Sequence, residues 1–132
     1  MNKKMVLVMI PLVVFIAFVS NRFSMTNDVV QMETNELAQL LHQTDDDSYF
    51  FVDVREENEF REGHIAQMTN FPLSQFESKL EHVPIDKTIV LICRSGNRSQ
   101  QAADILVDKG YRDIININGG MLAWEGKVTK WK

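Results

Sequence analysis

Soft metal ligands are scarce in this chain of 132 residues, which holds one cysteine, Cys93, and three histidines. A single thiol excludes an intramolecular disulfide and a cysteine-rich zinc site. His42, His64 and His82 form no cluster with metal-ligand spacing, so neither a metal nor another cofactor is expected. No internal repeat is present. Positive charge is also thin beyond Arg22, where all 18 acidic residues fall against 11 of the 14 basic ones. That part is seven charges negative, which argues against nucleic acid and against an anionic bilayer surface as partners. With 45% hydrophobic residues, the length accommodates one small domain plus an extension.

The extension is the longest charge-free run. Met5 to Val19 are apolar or small and follow Lys3 and Lys4, the pattern of a membrane-targeting segment outside the fold. As a helix it spans ~22 Å, against the ~30 Å hydrocarbon core of a bilayer. Ala17-Phe18-Val19-Ser20-Asn21 offers no small-x-small cleavage site, so an uncleaved single-pass anchor in the cell membrane is expected over a cleaved signal. Lys3 and Lys4 outweigh Arg22, which places the N-terminus inside and the domain outside. The predicted organisation is an anchor or uncleaved signal segment over 1–22, a linker over 23–28, a folded domain over 29–127 and a basic, frayed tail over 128–132.

Thr88 to Lys109 organises the domain. Ile89, Val90 and Ile92 read as a buried strand, which ends on Cys93. Ala102, Ala103, Leu106 and Val107 then recur at helical spacing, and Gly110 stands beyond the last turn. The thiol therefore lies where the carboxyl end of a strand turns into a helix N-terminus, whose unpaired amides and dipole favour an anion. Such a setting favours the thiolate and makes it a nucleophile. Gly96 permits unusual backbone conformations in the loop, and Arg94 and Arg98 add positive charge. The competing reading is a buried structural cysteine, which would gain nothing from two arginines, a glycine and an asparagine in the next five positions.

Around this stretch, Val29–Met32 is predicted as a short strand. Thr34 is placed as the cap of a helix carrying Leu37, Leu40 and Leu41. Tyr49–Val54 forms a strand, Glu56–Glu62 a helical turn, and Thr69–Phe71 a short strand. Ser74-Gln75-Phe76-Glu77 has the form of a capping box opening a helix to Leu80. Tyr111–Asn118 supplies the last strand, and Gly119-Gly120 turns into Met121–Glu125. Asp45-Asp46-Asp47 reads as a solvated turn, since no spaced calcium loop follows. Alternating strands and helices imply an α/β fold with a parallel sheet of about five strands covered on both faces. Asp53 and Arg55 then share a carboxyl edge with Cys93, either as a loop-fixing salt bridge or with a direct role.

Three segments carry a family resemblance. Cys93-Arg94-Ser95-Gly96-Asn97-Arg98-Ser99 resembles the active-site loop of single-domain rhodanese-like sulfurtransferases. Val52-Asp53-Val54-Arg55-Glu56 with Phe60 and Gly63-His64-Ile65 resembles the family's first signature, and Gly119-Gly120-Met121-Leu122-Ala123-Trp124 its last. The match covers residues 29–127. Gln67-Met68 departs from it, because the family usually has a small Gly-Ala pair there, and local packing is expected to differ. The resemblance implies the rhodanese-like three-layer fold, Asp53 and Arg55 as supporting residues, and His64 as a structural histidine where it could otherwise be imagined as a base. It also implies sulfur transfer from thiosulfate, polysulfide or a persulfide, through a Cys93 persulfide held by Arg94 to Ser99. The acceptor would be cyanide, a thiol or a redox partner protein.

Two rival classes remain. Cysteine phosphatases and arsenate reductases cradle an anion in a similar loop, but with five residues between Cys and Arg; here four separate Cys93 from Arg98. A non-catalytic interaction module is the other rival, and the intact loop argues against it.

Overall fold

The computed structural model describes residues 29–43 and 47–131. Five strands form one all-parallel sheet: β1 (Val30–Met32), β2 (Tyr49–Asp53), β3 (Thr69–Asn70), β4 (Thr88–Ile92) and β5 (Ile114–Ile117), in the order β1-β5-β4-β2-β3. Helices α1 (Thr34–Gln43), α2 (Glu57–Glu62), α3 (Asn97–Asp108) and α4 (Gly120–Ala123) complete the framework. This is the α/β architecture with a five-stranded parallel sheet expected from the sequence. The N-terminal hydrophobic segment and most of the Asp45-Asp46-Asp47 run lie outside the described residues.

The period-two alternation of β4 divides the core. Ile89, Leu91 and Cys93 join Ala102, Ala103 and Leu106 of α3 on one face; Val90 and Ile92 join Leu37, Phe60 and Ile65 on the other. The valine, leucine, isoleucine and phenylalanine side chains among these each contribute about 1.5–3 kcal/mol when fully buried. Because β4 is covered on both faces, its sequence reads as a continuous apolar run. Register brings Asp53 opposite Ile92, and the Val54 amide donates to the Ile92 carbonyl at 2.9 Å. The first signature and the cysteine loop thus leave the sheet side by side.

Several local expectations are corrected. Residues 73–82 form two 3-10 segments, Leu73–Gln75 and Glu77–His82, where an α-helix was expected. The Ser74 hydroxyl donates to Glu56 Oε2 at 2.9 Å, so it caps nothing, and Pro72 starts i+3 turns through Gln75 and Phe76. Thr34 does not cap α1: its hydroxyl donates to the Ala123 carbonyl at 3.1 Å. The N-cap is Glu33, whose amide donates to Glu36 Oε2 at 2.9 Å. Met68 absorbs the Gln67-Met68 departure by filling the second core cluster, while Gln67 faces outward.

The tail is docked where fraying was expected. His64 and Thr129 exchange backbone hydrogen bonds of 2.9 and 2.8 Å, and the Trp131 amide donates to the Arg61 carbonyl at 3.3 Å. The Trp131 ring meets Phe60 and His64 edge-on, with centroids 5.0 and 5.5 Å away. Basic composition suggested a solvated end, and the apolar partners that hold Trp131 lie some seventy residues back in the chain.

Candidate active site

At the end of β4 the chain turns through Arg94, Ser95 and Gly96 into α3. Gly96 sits at φ +104 as the N-cap of that helix, a conformation that side chains with a Cβ rarely adopt. This turn folds the first amides back over the sulfur of Cys93. The Gly96 amide donates to Sγ at 3.0 Å, and the Ser99 hydroxyl, one turn into α3, lies 3.3 Å from Sγ. That hydroxyl also lies 3.1 Å from the Gly96 carbonyl, so its one proton serves either acceptor. Cys93 and Ser99 are both buried.

Burial pushes the Cys93 thiol up, since it penalises the charged form. The Ser99 hydroxyl, then the amides of Ser99, Gly96 and Ser95, pull it down, and the balance falls below the ordinary thiol range. The arrangement is therefore a thiolate cradle made from one helix start and one hydroxyl.

The Gly119-Gly120 turn holds the other side of the loop. The Met121 amide donates to the Cys93 carbonyl at 2.8 Å, and the Leu122 amide to the Arg94 carbonyl at 3.0 Å. With these carbonyls tied to α4, the following amides are left to face the sulfur. The sequence marks Gly119-Gly120 as a turn within the resembling C-terminal segment, and nothing local in it points to these contacts with the cysteine loop. Trp124 is partly buried against the second core cluster and donates through Nε1 to the Lys127 carbonyl at 3.2 Å.

Asp53 and Arg55 form a buried ion pair. Arg55 Nη2 lies 2.7 Å from Asp53 Oδ2, and Nε reaches both carboxylate oxygens. Arg55 also donates to the Gly63 carbonyl at 2.8 Å, so the pair braces the loop after β2 against the end of α2. His64 is buried, with Nδ1 2.7 Å from the Phe60 carbonyl and its ring stacked on Phe60 at 3.6 Å. Its contacts are those of a packed histidine.

Arg98 departs from expectation. The sequence offers it as positive charge at the loop, yet both terminal nitrogens grip Glu59, at 2.7 and 2.8 Å. The Arg98 hydrogen bond holds the Glu59 carboxyl down at about 2, helped by the Glu56 amide. Glu59 was missed because no local signal in its helical turn points to an arginine 39 residues away. Arg94, Ser95 and Asn97 are exposed at the loop surface. Among the described residues, the Arg94 guanidinium has no ion pair. No group of side chains among them could hold a metal ion.

Beside the loop lies an open cleft of about 370 Å³ lined by Arg55, Glu59, Glu62, Arg94, Leu122 and Val128, among others. A larger, mostly apolar groove of about 590 Å³ runs past Leu41, Ile65 and Trp124, away from Cys93. Of the two, only the smaller is lined by a residue of the cysteine loop, Arg94.

Comparison with known proteins agrees with this geometry. A family described as the rhodanese-like domain matches residues 33–127. The putative sulfurtransferase YtwF of Bacillus subtilis is 39% identical over 83 residues, covering 63% of this chain and 80% of its own. Thiosulfate sulfurtransferase GlpE of Pseudoalteromonas translucida is 33% identical over 97 residues, covering 71% and 90%. The crystal structure of a rhodanese-related protein from Thermoplasma volcanium superposes with a TM-score of 0.66 at 31% identity, covering 76% of this chain and 97% of that one.

Proposed function

Because this chain belongs to the rhodanese-like domain family, we propose that it is a sulfurtransferase carrying a sulfane sulfur as a persulfide on Cys93. The observation that carries this reading is the Gly96 amide 3.0 Å from Sγ, with the Ser99 hydroxyl at 3.3 Å. These donors stabilise a thiolate without a neighbouring base, and equally the anionic persulfide that replaces it.

With thiosulfate as donor, the Cys93 thiolate attacks the outer sulfur. The S–S bond of the donor breaks, sulfite leaves with the electron pair, and Cys93 carries a persulfide anion. Cyanide, a small thiol or a reduced partner protein then attacks the terminal sulfur, and the Cys93 thiolate leaves. No other cysteine exists in the chain, so the resolving nucleophile comes from outside. Arg94 draws the anionic donor to the loop, the amides of Ser95, Gly96 and Ser99 hold the sulfur, and Asn97 starts the helix that presents them. Arg98 acts through its grip on Glu59, and the Asp53–Arg55 pair braces the neighbouring strand end.

Only four residues separate Cys93 from Arg98, and Arg98 is already paired, which leaves little to surround a tetrahedral phosphate. Intact mass after exposure to thiosulfate tests the reading: a gain of one sulfur atom is expected, and Cys93→Ser should show neither the gain nor thiocyanate formation. Efficient hydrolysis of an aryl phosphate by the unaltered protein would overturn it in favour of a phosphatase.

Among the described residues, which begin at Val29, no helix is long and apolar enough to cross a membrane. The charge-free run at 5–19 supports an anchor at the cell membrane, in the organisation 1–22 anchor, 23–28 linker, 29–127 domain and 128–132 tail. The domain then faces outward. A membrane-impermeant thiol reagent should label Cys93 in intact cells; labelling only after lysis would place the domain inside.

A further inference from the structure

Three arginines stand at or beside the cysteine loop, and two are committed to carboxylates: Arg55 to Asp53 and Arg98 to Glu59. Arg94 is exposed and has no ion pair among the described residues, and the same is true of Glu62. Both line the cleft of about 370 Å³, together with the paired Arg55 and Glu59 and with apolar surface from Leu122 and Val128. The cleft reaches the loop through Arg94, which follows the nucleophile directly, and through Glu59, which holds Arg98.

This charge pattern suits an inorganic dianion poorly. A dianion leaving water needs cations in place of its hydration shell, and here Arg55 and Glu59 are already paired, which leaves one cation, Arg94, facing one carboxylate, Glu62. It suits a molecule bearing one charge of each sign on a small apolar frame. The volume also lies within the range of roughly 300–1,000 Å³ typical of organic-ligand sites.

We infer that the preferred donor is an amino-acid-type persulfide, with its carboxylate on Arg94 and its ammonium on Glu62. This rests on the sulfur-transfer reading above and names the substrate class within it. The Cys93 thiolate attacks the outer sulfur of R–S–SH, the donor's S–S bond breaks, and RS⁻ leaves with the electron pair. The outer sulfur keeps its proton, and no external oxidant or reductant is needed. Glu59, by holding Arg98, withholds the second cation that thiosulfate would use.

The test compares donors on the full chain: cysteine persulfide, the persulfide of 3-mercaptopropionate (no ammonium), the persulfide of cysteamine (no carboxylate), and thiosulfate. Transfer to Cys93 is followed by intact mass and by rate. Cysteine persulfide should exceed each one-charge analogue by about tenfold in kcat/KM, the scale of one charge-assisted contact. Glu62→Gln should collapse the preference over the 3-mercaptopropionate compound alone, and Arg94→Gln the preference over the cysteamine compound alone. Equal rates for the three persulfides, or faster transfer from thiosulfate, would overturn the inference while leaving sulfur transfer intact. A uniform loss across donors in either variant would assign those residues a merely structural role and overturn it as well. No sulfur gained from any donor would remove the sulfur-transfer reading itself.

Discussion

Arg98 and Glu59 are joined by two hydrogen bonds of 2.7 and 2.8 Å, fastening the first turn of α3 to α2 across 39 residues of sequence. The helix that presents the thiolate amides is thereby tied to the segment following the first signature. The same pairing neutralises a guanidinium that would otherwise stand beside the nucleophile.

Replacing Glu59 with glutamine should therefore have two effects. Freed from its carboxylate, Arg98 should lower KM for thiosulfate by about threefold, since a modest surface-type electrostatic gain is on that scale. The stability effect should depend on pH. The Glu59 carboxyl is held at about 2, below its ordinary 4.5, so its contribution is complete above pH 4.5 and fades as pH falls toward 2. The pair is partly exposed, so the neutral-pH loss should be about 1 kcal/mol. Melting temperatures across pH 3–7 should show the gap between the two proteins closing on acidification; a constant gap would refute the linkage.

The Ser99 hydroxyl predicts a second pH effect. It is the foremost group drawing the Cys93 thiol down against the upward push of burial. In Ser99→Ala the thiolate should form at higher pH, and alkylation by iodoacetamide at pH 6.5 should slow about fivefold, the worth of one hydrogen bond of about 1 kcal/mol. The difference should shrink as pH rises and the thiolate forms in both proteins. An unshifted alkylation profile would assign the stabilisation to the backbone amides alone.

What was legible in the chain was whatever has a local cause. β4 and its cysteine could be read because a doubly covered strand is a continuous apolar run, and α3 because Ala102, Ala103 and Leu106 repeat on one face. The cradle itself was legible as a helix start following Gly96. The partners of these elements were not. Glu59 pairs with Arg98, Trp131 with Phe60, and the α4 amides with the Cys93 and Arg94 carbonyls, each across at least 28 residues. Periodicity carries no information about such contacts. Ser74 shows the reverse failure: a capping motif was present, but Glu56 competed successfully for its hydroxyl.

Gly120 should prove intolerant of alanine. At φ +54, an added Cβ would press on the Cys93 carbonyl and lie 2.7 Å from the Arg94 carbonyl. Strain and clash together should cost about 2–4 kcal/mol, and sulfur transfer per folded molecule should fall because the loop must shift. Gly110, at φ +90, meets nothing within 4 Å of such a Cβ. Gly110→Ala should cost only about 1 kcal/mol, from the backbone conformation alone, and leave transfer intact. Urea unfolding and activity measured on both variants separate the two cases; equal activity in both would show that the α4 turn does not position the loop.

The C-terminal strap gives the last prediction. Thr129 closes two backbone hydrogen bonds with His64, and Trp131 covers the stacked Phe60–His64 pair edge-on. Ending the chain at Lys127 removes both and exposes a histidine that is otherwise 3% accessible. Two backbone hydrogen bonds at about 1 kcal/mol each, with lost aromatic contact, predict a stability lower by about 2–3 kcal/mol. Trp131→Ala should lose only about 1 kcal/mol, because the ring is half-exposed and the bridge survives. Since the hydrogen bonds to Cys93 come from the loop, α3 and α4, the shortened protein should still accept sulfur from polysulfide below its melting temperature. Val128, however, forms part of the cleft wall, so discrimination among organic persulfides should weaken. Calorimetry on the two variants decides the stability claim: an unchanged melting temperature after truncation would mean that the strap is not docked in solution, and the domain would then end where the sequence alone had placed it.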